Sequence, residues 1–361
     1  MLTLAYILAL FHMWISISDS LKVFYSDSKF ERKPVSQKQF DEILINPLTQ
    51  FVPVSNGDNF YVEATLKPIY LNVEDLDVKD ESQKDEKLFV YLGSKAGVEF
   101  VAVDLISEKK VKTSDKTSET IQSEPIPSKL PLRLQTSGIK SDMLRSFSEQ
   151  LVDHDDASLL AHARGMIVWH TNTQYCCKCG SKTKPQRAGA SRKCINENCK
   201  SSSYPRLEPA SIMLITDRTG DYCLLGRKSI WPVGRYSALA GFTEVGETLE
   251  QTVIRETYEE AGVRVDADSL RMVISQPWPF PSSLMIGYRG ICEGEGLPEV
   301  NFDAKEMQDV KWFSKNDVRN GLEGGSTSLG DWKPNEKESI LHFPGISSLA
   351  RVLITQWCNE K

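Results

Sequence analysis

The sequence predicts an α+β chain of several domains, on three observations. Short strand-like runs fill the first third of the chain, and two cysteine pairs at metal-ligand spacing follow near its middle. Beyond them lies an acidic segment with helical periodicity, bounded by glycines at 241 and 262. The 361 residues suffice for two or three domains, each with a substantial core. A hydrophobic content of 40% and a charged content of 25% are those of a globular protein. A net charge of −6 opposes broad, salt-driven nucleic-acid binding and leaves open recognition of one nucleotide in a pocket.

Residues 2–17 are strongly apolar, and Ser16-Ile-Ser18 resembles a small-x-small cleavage site, as in a secretory signal over residues 1–18. No Lys or Arg precedes the run, however, and no Asn-x-Ser/Thr sequon occurs in the chain. The run is also shorter than the roughly 20 residues of a membrane span. It reads as a buried segment or a misassigned start, and a membrane contact follows only if it is an anchor. Strand-like pieces then occur at Leu21–Tyr25, Phe51–Val54, Tyr61–Leu66, Leu88–Tyr91 and Val98–Leu105. They make residues 21–140 a β-rich domain, with a flexible polar linker or long loop at 107–129. Helical spacing returns in a connecting segment at 141–170, through Leu144, Phe147, Leu151, Leu159, Ala163 and Val168. His170, alone after Trp169, reads as a packing residue.

Cys176-x2-Cys179, fourteen intervening residues and Cys194-x4-Cys199 give two ligand pairs. Four thiolates suit tetrahedral structural Zn²⁺, so residues 171–204 are expected to form a zinc ribbon, with Cys177 a bystander. Lys178, Lys182, Lys184, Arg187, Arg192 and Lys193 make this segment basic, which keeps a nucleic-acid-binding or adaptor role in view. Tyr204-Pro-Arg runs directly into Ala210–Thr216, a buried-strand pattern, which suggests that the ribbon is built into the module that follows. Cys223, Cys292 and Cys358 stand apart and read as small hydrophobes.

The acidic segment reads G-x5-E-x7-R-E-T-x-E-E-x-G-V from Gly241 to Val263. Gly241 and Gly246 permit tight, positive-φ backbone, Thr248 can cap a helix, and Gly262 can end it. Leu249, Val253, Glu256 and Glu260 share one helical face, which draws carboxylates inward with the apolar residues. Glu256, Glu259 and Glu260 then crowd three negative charges into about one turn, an arrangement that repels itself without a cation. Oxygen ligands on a rigid helix suit Mg²⁺ or Mn²⁺, which keep several waters and bridge phosphates. Further on, Gln276-Pro-Trp-Pro-Phe-Pro-Ser-Ser283 holds Trp278 and Phe280 between rigid prolines.

Taken in order, the cysteine pairs, the acidic helix and the Pro-aromatic run resemble the NADH pyrophosphatase (NudC-like) subfamily of Nudix hydrolases. The resemblance covers roughly residues 130–357, with Thr257 standing where the family usually has an aliphatic residue. It implies a Nudix α/β/α sandwich with a mixed sheet at 205–358, preceded by the ribbon and the β-rich domain. It implies catalytic Mg²⁺ or Mn²⁺ on Glu256, Glu260, Glu306 and the Ala240 carbonyl, and Zn²⁺ on Cys176, Cys179, Cys194 and Cys199. Glu259 is the candidate auxiliary ligand or proton acceptor. Arg255 is expected to aim a carboxylate, and Glu247 to be structural. Tyr204, Ala240, Gly241, Phe242, Gln276, Pro277, Trp278, Pro279, Phe280, Pro281, Ser282, Ser283 and Ala350 are the implied substrate contacts.

The implied reaction is hydrolysis of the pyrophosphate of NADH, and of NAD⁺ and related dinucleotides, to reduced or oxidised nicotinamide mononucleotide plus AMP. The same chemistry on NAD-capped RNA is one alternative, and a catalytically silent nucleotide sensor or zinc-ribbon adaptor is another. The resemblance also implies a homodimer. The thiol cluster favours an intracellular, reducing compartment, cytosol first. Relatives also occupy mitochondrion and peroxisome, although Asn359-Glu360-Lys361 is not a Ser-Lys-Leu-type address.

Overall fold

The computed structural model describes residues 30–76, 87–105, 130–131, 134, 138–151, 154–323 and 341–360. The apolar start, the strand expected at 21–25 and the polar linker lie outside the described residues. Two compact units divide between Arg206 and Leu207, with Pro279–Pro281 counted in the N-terminal unit.

The N-terminal unit opens with helix α1 (Gln37–Ile45), started by a reciprocal cap between Ser36 and Gln39. Strands β1 (Gln50–Ser55), β2 (Asp58–Val62), β3 (Lys67–Pro68), β4 (Phe89–Lys95), β5 (Val98–Asp104) and β6 (Ile139–Asp142) follow. They form one sheet in the order β3-β2-β1-β5-β4, with β6 on β2 and a parallel β1–β5 pair. Three of the expected strands are therefore present nearly as read. The fourth ends early, because Thr65 and Leu66 turn back onto the Val62 carbonyl. Helix α1 was not among the expected elements, and residues 139–142 pair as a strand where helical spacing was expected to begin. The helical segment itself is split into α2 (Leu144–Phe147) and α3 (His154–Asn172).

The cysteine segment forms a small sheet of β7 (Thr183–Gln186), β8 (Ser191–Cys194) and β9 (Ser202–Ser203). It belongs to the N-terminal unit, contrary to the run-on from Tyr204 into the next strand. The reason is its tip. Tyr91 donates its backbone N–H to the Ala188 carbonyl at 2.9 Å, and Ala188 is buried in the core of the first sheet. His170 bonds the Gly189 carbonyl through Nε2 at 2.7 Å and meets Arg192 through Nδ1 at 2.8 Å. It is the packing residue the sequence suggested.

The second unit contains β10 (Glu208–Thr216), β11 (Tyr222–Arg227), β12 (Leu239–Phe242), α4 (Leu249–Ala261), β13 (Arg271–Trp278), β14 (Ser283–Ile291) and β15 (Asp309–Ser314). Helices α5 (Lys315–Glu323) and α6 (Leu349–Asn359) follow. The sheet order is β13-β14-β10-β11-β15, with β12 on β10. β10 and β14 are parallel and the other pairs antiparallel, so the sheet is mixed. Side chains along β10 alternate between two cores. Ile212 and Leu214 meet Val352, Leu353 and Trp357 of α6, while Met213 and Ile215 meet Val253 and Ala261 of α4. This is the expected α/β/α sandwich. A fully buried leucine such as Leu353 contributes about 1.5–3 kcal/mol to it. Cys223, Cys292 and Cys358 are buried apolar filling, also as expected.

Candidate active site

The site begins with local chain chemistry. Thr248 caps α4 in a reciprocal box with Gln251, and Gly262 ends the helix in the left-handed region at φ +69°. Gly246 also takes positive φ, at +95°. Gly241 does not, and its role is spatial. A Cβ there would stand 1.8 Å from Cδ of Glu256, so the bare backbone of β12 is what admits that carboxylate.

Arg255 organises the acidic residues. It bonds Glu247 through Nε and Nη2 at 2.6 and 2.9 Å, and Glu256 and Glu259 through Nη1 at 2.8 Å each. Nη2 also reaches the Phe242 carbonyl at 2.9 Å, tying the helix to the end of β12. The bidentate contact holds Glu247 down to about 2, so it is a permanent anion and a structural one. Thr252 adds a hydroxyl donor to Glu247 at 3.0 Å. Thr257 is fully buried and spends its hydroxyl on the Val253 carbonyl at 2.7 Å, so the family departure is absorbed within the helix.

Glu260 is the deepest carboxylate, with its side chain 1% exposed. Burial pushes its pKa up to about 7, against the pull of Lys228, and Glu256 and Glu306 raise it further by like charge. It accepts a hydrogen bond from the Ala240 N–H, at 3.3 Å. Glu256 is raised too, first by burial and then by Glu259 and Glu306. Glu306 rides on a turn closed by Lys305 N–H on Asp303 Oδ1 at 2.8 Å. Glu256, Glu260 and Glu306 thus share one electrostatic neighbourhood, while Glu259 is half exposed and tied to Arg255. Hard oxygens around a buried, under-neutralised carboxylate are a donor set suited to a divalent cation.

Lys228 was missed from the sequence. Its ammonium lies 3.6 Å from Glu260 and 4.0 Å from Glu306, and it follows β11 outside any motif. Other predicted contacts divide. Phe242 is exposed at the end of β12, and Trp278 and Ser282 are half-buried. Gln276 is buried, its amide donating to the Ser347 carbonyl at 2.7 Å and accepting from Leu349 N–H at 3.1 Å. Its side chain therefore anchors the start of α6 and is not presented to substrate. Ala350 packs inside the core, and Ser283 is buried in β14, so neither presents a side chain to a ligand. In the N-terminal unit, Tyr204 is exposed, and Arg164 donates to the Pro279 carbonyl and lies 4.6 Å over the Phe280 ring.

The sulfurs of Cys176, Cys179, Cys194 and Cys199 all lie within 4.8 Å of one another, and Cys177 is exposed outside them. The Ser201 hydroxyl leads the effects that draw the Cys176 thiol down to about 6, toward the thiolate a metal requires. This cluster could hold a metal ion. Among the described residues, no three carboxylates converge that closely. Arg192, from the basic run, is buried on Thr183 and His170 and presents no charge to solvent. A cavity of about 1460 Å³ in the N-terminal unit, lined partly by Lys182 and Lys184, contains none of the acidic site. No helix among the described residues is long and apolar enough to cross a membrane.

An α/β/α sandwich with Glu256 and Glu260 on α4 beneath a glycine-bounded loop is the arrangement of a NUDIX domain. The family model of that description matches residues 206–333, and the second unit of this chain is such a domain. The relatives that the chain resembles are NudC-type proteins. It is 36% identical over 208 residues to the NAD-capped RNA hydrolase NUDT12 of Homo sapiens, covering 56% of this chain and 42% of that one. It is 38% identical over 208 residues to the NAD-capped RNA hydrolase NudC of Mycobacterium tuberculosis, covering 58% and 62%. The chain thus spans about half the length of the curated relatives it matches.

Proposed function

We propose that the protein is a divalent-cation-dependent hydrolase of the diphosphate in NADH and related dinucleotides, giving reduced nicotinamide mononucleotide and AMP. The observation that carries this reading is Glu260, a buried carboxylate with two further acids around it. Glu256, Glu260 and Glu306, with the Ala240 carbonyl, would hold Mg²⁺ or Mn²⁺. Such an ion supplies charge neutralisation at the phosphates and acidifies an attacking water. The protein's part is positional: Arg255 fixes Glu256, and the buried floor keeps water away from Glu260. Glu259 is the proposed proton acceptor or auxiliary ligand, Arg255 orienting it through the 2.8 Å contact. Tyr204, Phe242 and the 276–283 run are proposed to take the base and ribose. Gln276, Ser283 and Ala350 would serve there through backbone and packing alone. The four cysteines are proposed to carry structural Zn²⁺, and the working form is proposed to be an intracellular homodimer.

Both relatives bear the name NAD-capped RNA hydrolase, which favours NAD-capped RNA as a second substrate of the same site. AMP release and cap removal, measured with Mg²⁺ or Mn²⁺ over NADH, NAD⁺, ADP-ribose, dinucleoside polyphosphates and NAD-RNA, distinguish the two. Glu260→Gln should lower turnover by several orders of magnitude in a folded protein. An unchanged rate at saturating Mg²⁺ refutes the assignment.

A further inference from the structure

Lys228 has a fixed backbone and a mobile-stemmed ammonium that is hydrogen-bonded to neither acid beside it. Its backbone closes a turn, with Trp231 N–H on the Lys228 carbonyl at 3.0 Å. Beside it, Arg227 donates to the Trp231 carbonyl at 2.8 Å, and Gln308 N–H donates to the Arg227 carbonyl at 2.9 Å. The ammonium is half-buried and sits 3.6 Å from Glu260 and 4.0 Å from Glu306, beyond hydrogen-bond length to either. Among the described residues it is therefore held by charge alone over two of the acids proposed to bind divalent cations. An ammonium and a divalent cation compete for the same oxygens. With those oxygens taken by a cation, the ammonium would lose its attraction to the acids, and a phosphate bound over them would offer it another anion. Lysine suits this exchange, since its flexible stem carries three donors and makes no bidentate lock.

We propose that Lys228 is a diphosphate-binding residue of this site, parked on Glu260 and Glu306 until divalent cations displace it onto the substrate. The inference rests on the hydrolase reading and adds a residue and an order of events to it. Two opposite effects follow from one substitution. In Lys228→Met, Mn²⁺ should bind severalfold more tightly in the absence of substrate, because its competitor is gone. In saturating Mn²⁺, the same variant should bind α,β-methylene-ADP-ribose, whose bridge is not hydrolysed, about tenfold more weakly. Lys228→Arg should restore most of the analogue affinity.

Titration calorimetry reads both arms, and a thermal melt checks that the variants are folded. For turnover of NADH, KM should rise about tenfold in Lys228→Met while kcat changes less. Analogue binding as tight in Lys228→Met as in the parent protein overturns the proposal, as does Mn²⁺ affinity that falls. A parent protein that binds the analogue but hydrolyses nothing in the substrate panel would refute the hydrolase reading instead, and the binding comparison would still decide the role of Lys228.

Discussion

Gly241→Ala is the sharpest perturbation the structure offers. The added methyl would lie 1.8 Å from Cδ of Glu256 and 2.0 and 2.2 Å from its two oxygens. Ordinary contact begins near 3.4 Å, so the carboxylate must retreat by at least about 1.6 Å. The backbone cannot give way instead, since Gly241 is paired with Ser211 in the middle of the β10–β12 ladder. The retreat also breaks the 2.8 Å bond from Arg255. Displacement of a reacting group by about 1 Å can cost about 10²-fold in rate, and ligand oxygens tolerate far less than that around Mg²⁺. Turnover at saturating Mn²⁺ should therefore fall by about a hundredfold or more, with weaker Mn²⁺ binding by calorimetry. Overpacking should cost about 1–3 kcal/mol of stability by denaturant titration, which leaves the fold intact. A Gly241→Ala protein that turns over within twofold of the parent rate, with unchanged Mn²⁺ affinity, would refute the placement of Glu256 in the metal site.

Cys194→Ser should abolish the proposed zinc binding and lower the melting temperature, whereas Cys177→Ser should change neither; metal analysis and calorimetric melts read both, and equal zinc content in the two variants counts against the four-thiol site. His170 is held down to about 4 by burial, so it is neutral when folded and protonates more readily when unfolded. Its contribution is full above the unfolded value near 6.5 and is lost as pH falls toward 4, amounting to about 3 kcal/mol over that window. His170→Gln should flatten this part of the stability–pH curve measured by urea titration, and an undiminished slope would exclude His170 as its source. Thr257→Val removes a buried hydroxyl whose acceptor keeps its helical bond, so stability should stay within about 1 kcal/mol of the parent, with turnover unchanged. A loss above about 2 kcal/mol by denaturant titration would show that the hydroxyl has a further role.

The local chemistry of the site was legible in the chain because it depends on near neighbours. Thr248 and Gly262 bound the helix through their own backbone preferences, the 249/253/256/260 stripe drew Glu260 inward, and Arg255 lies within eight residues of every acid it holds. The cysteine spacing likewise singled out the four sulfurs that converge and left Cys177 aside. Tertiary structure alone decided what depends on contacts distant in sequence. Lys228 reaches Glu260 and Glu306 across 32 and 78 positions, and no pattern at Gly226-Arg-Lys announces it. Gln276 and Ala350 looked available for substrate until α6 was packed against the sheet, which buried one as an anchor and the other as core. The cysteine segment's place in the N-terminal unit was decided by its tip, where Ala188 completes a core that begins more than a hundred residues earlier. Periodicity reports which face of an element is apolar, and only the packed chain determines what covers that face and which polar groups are left free.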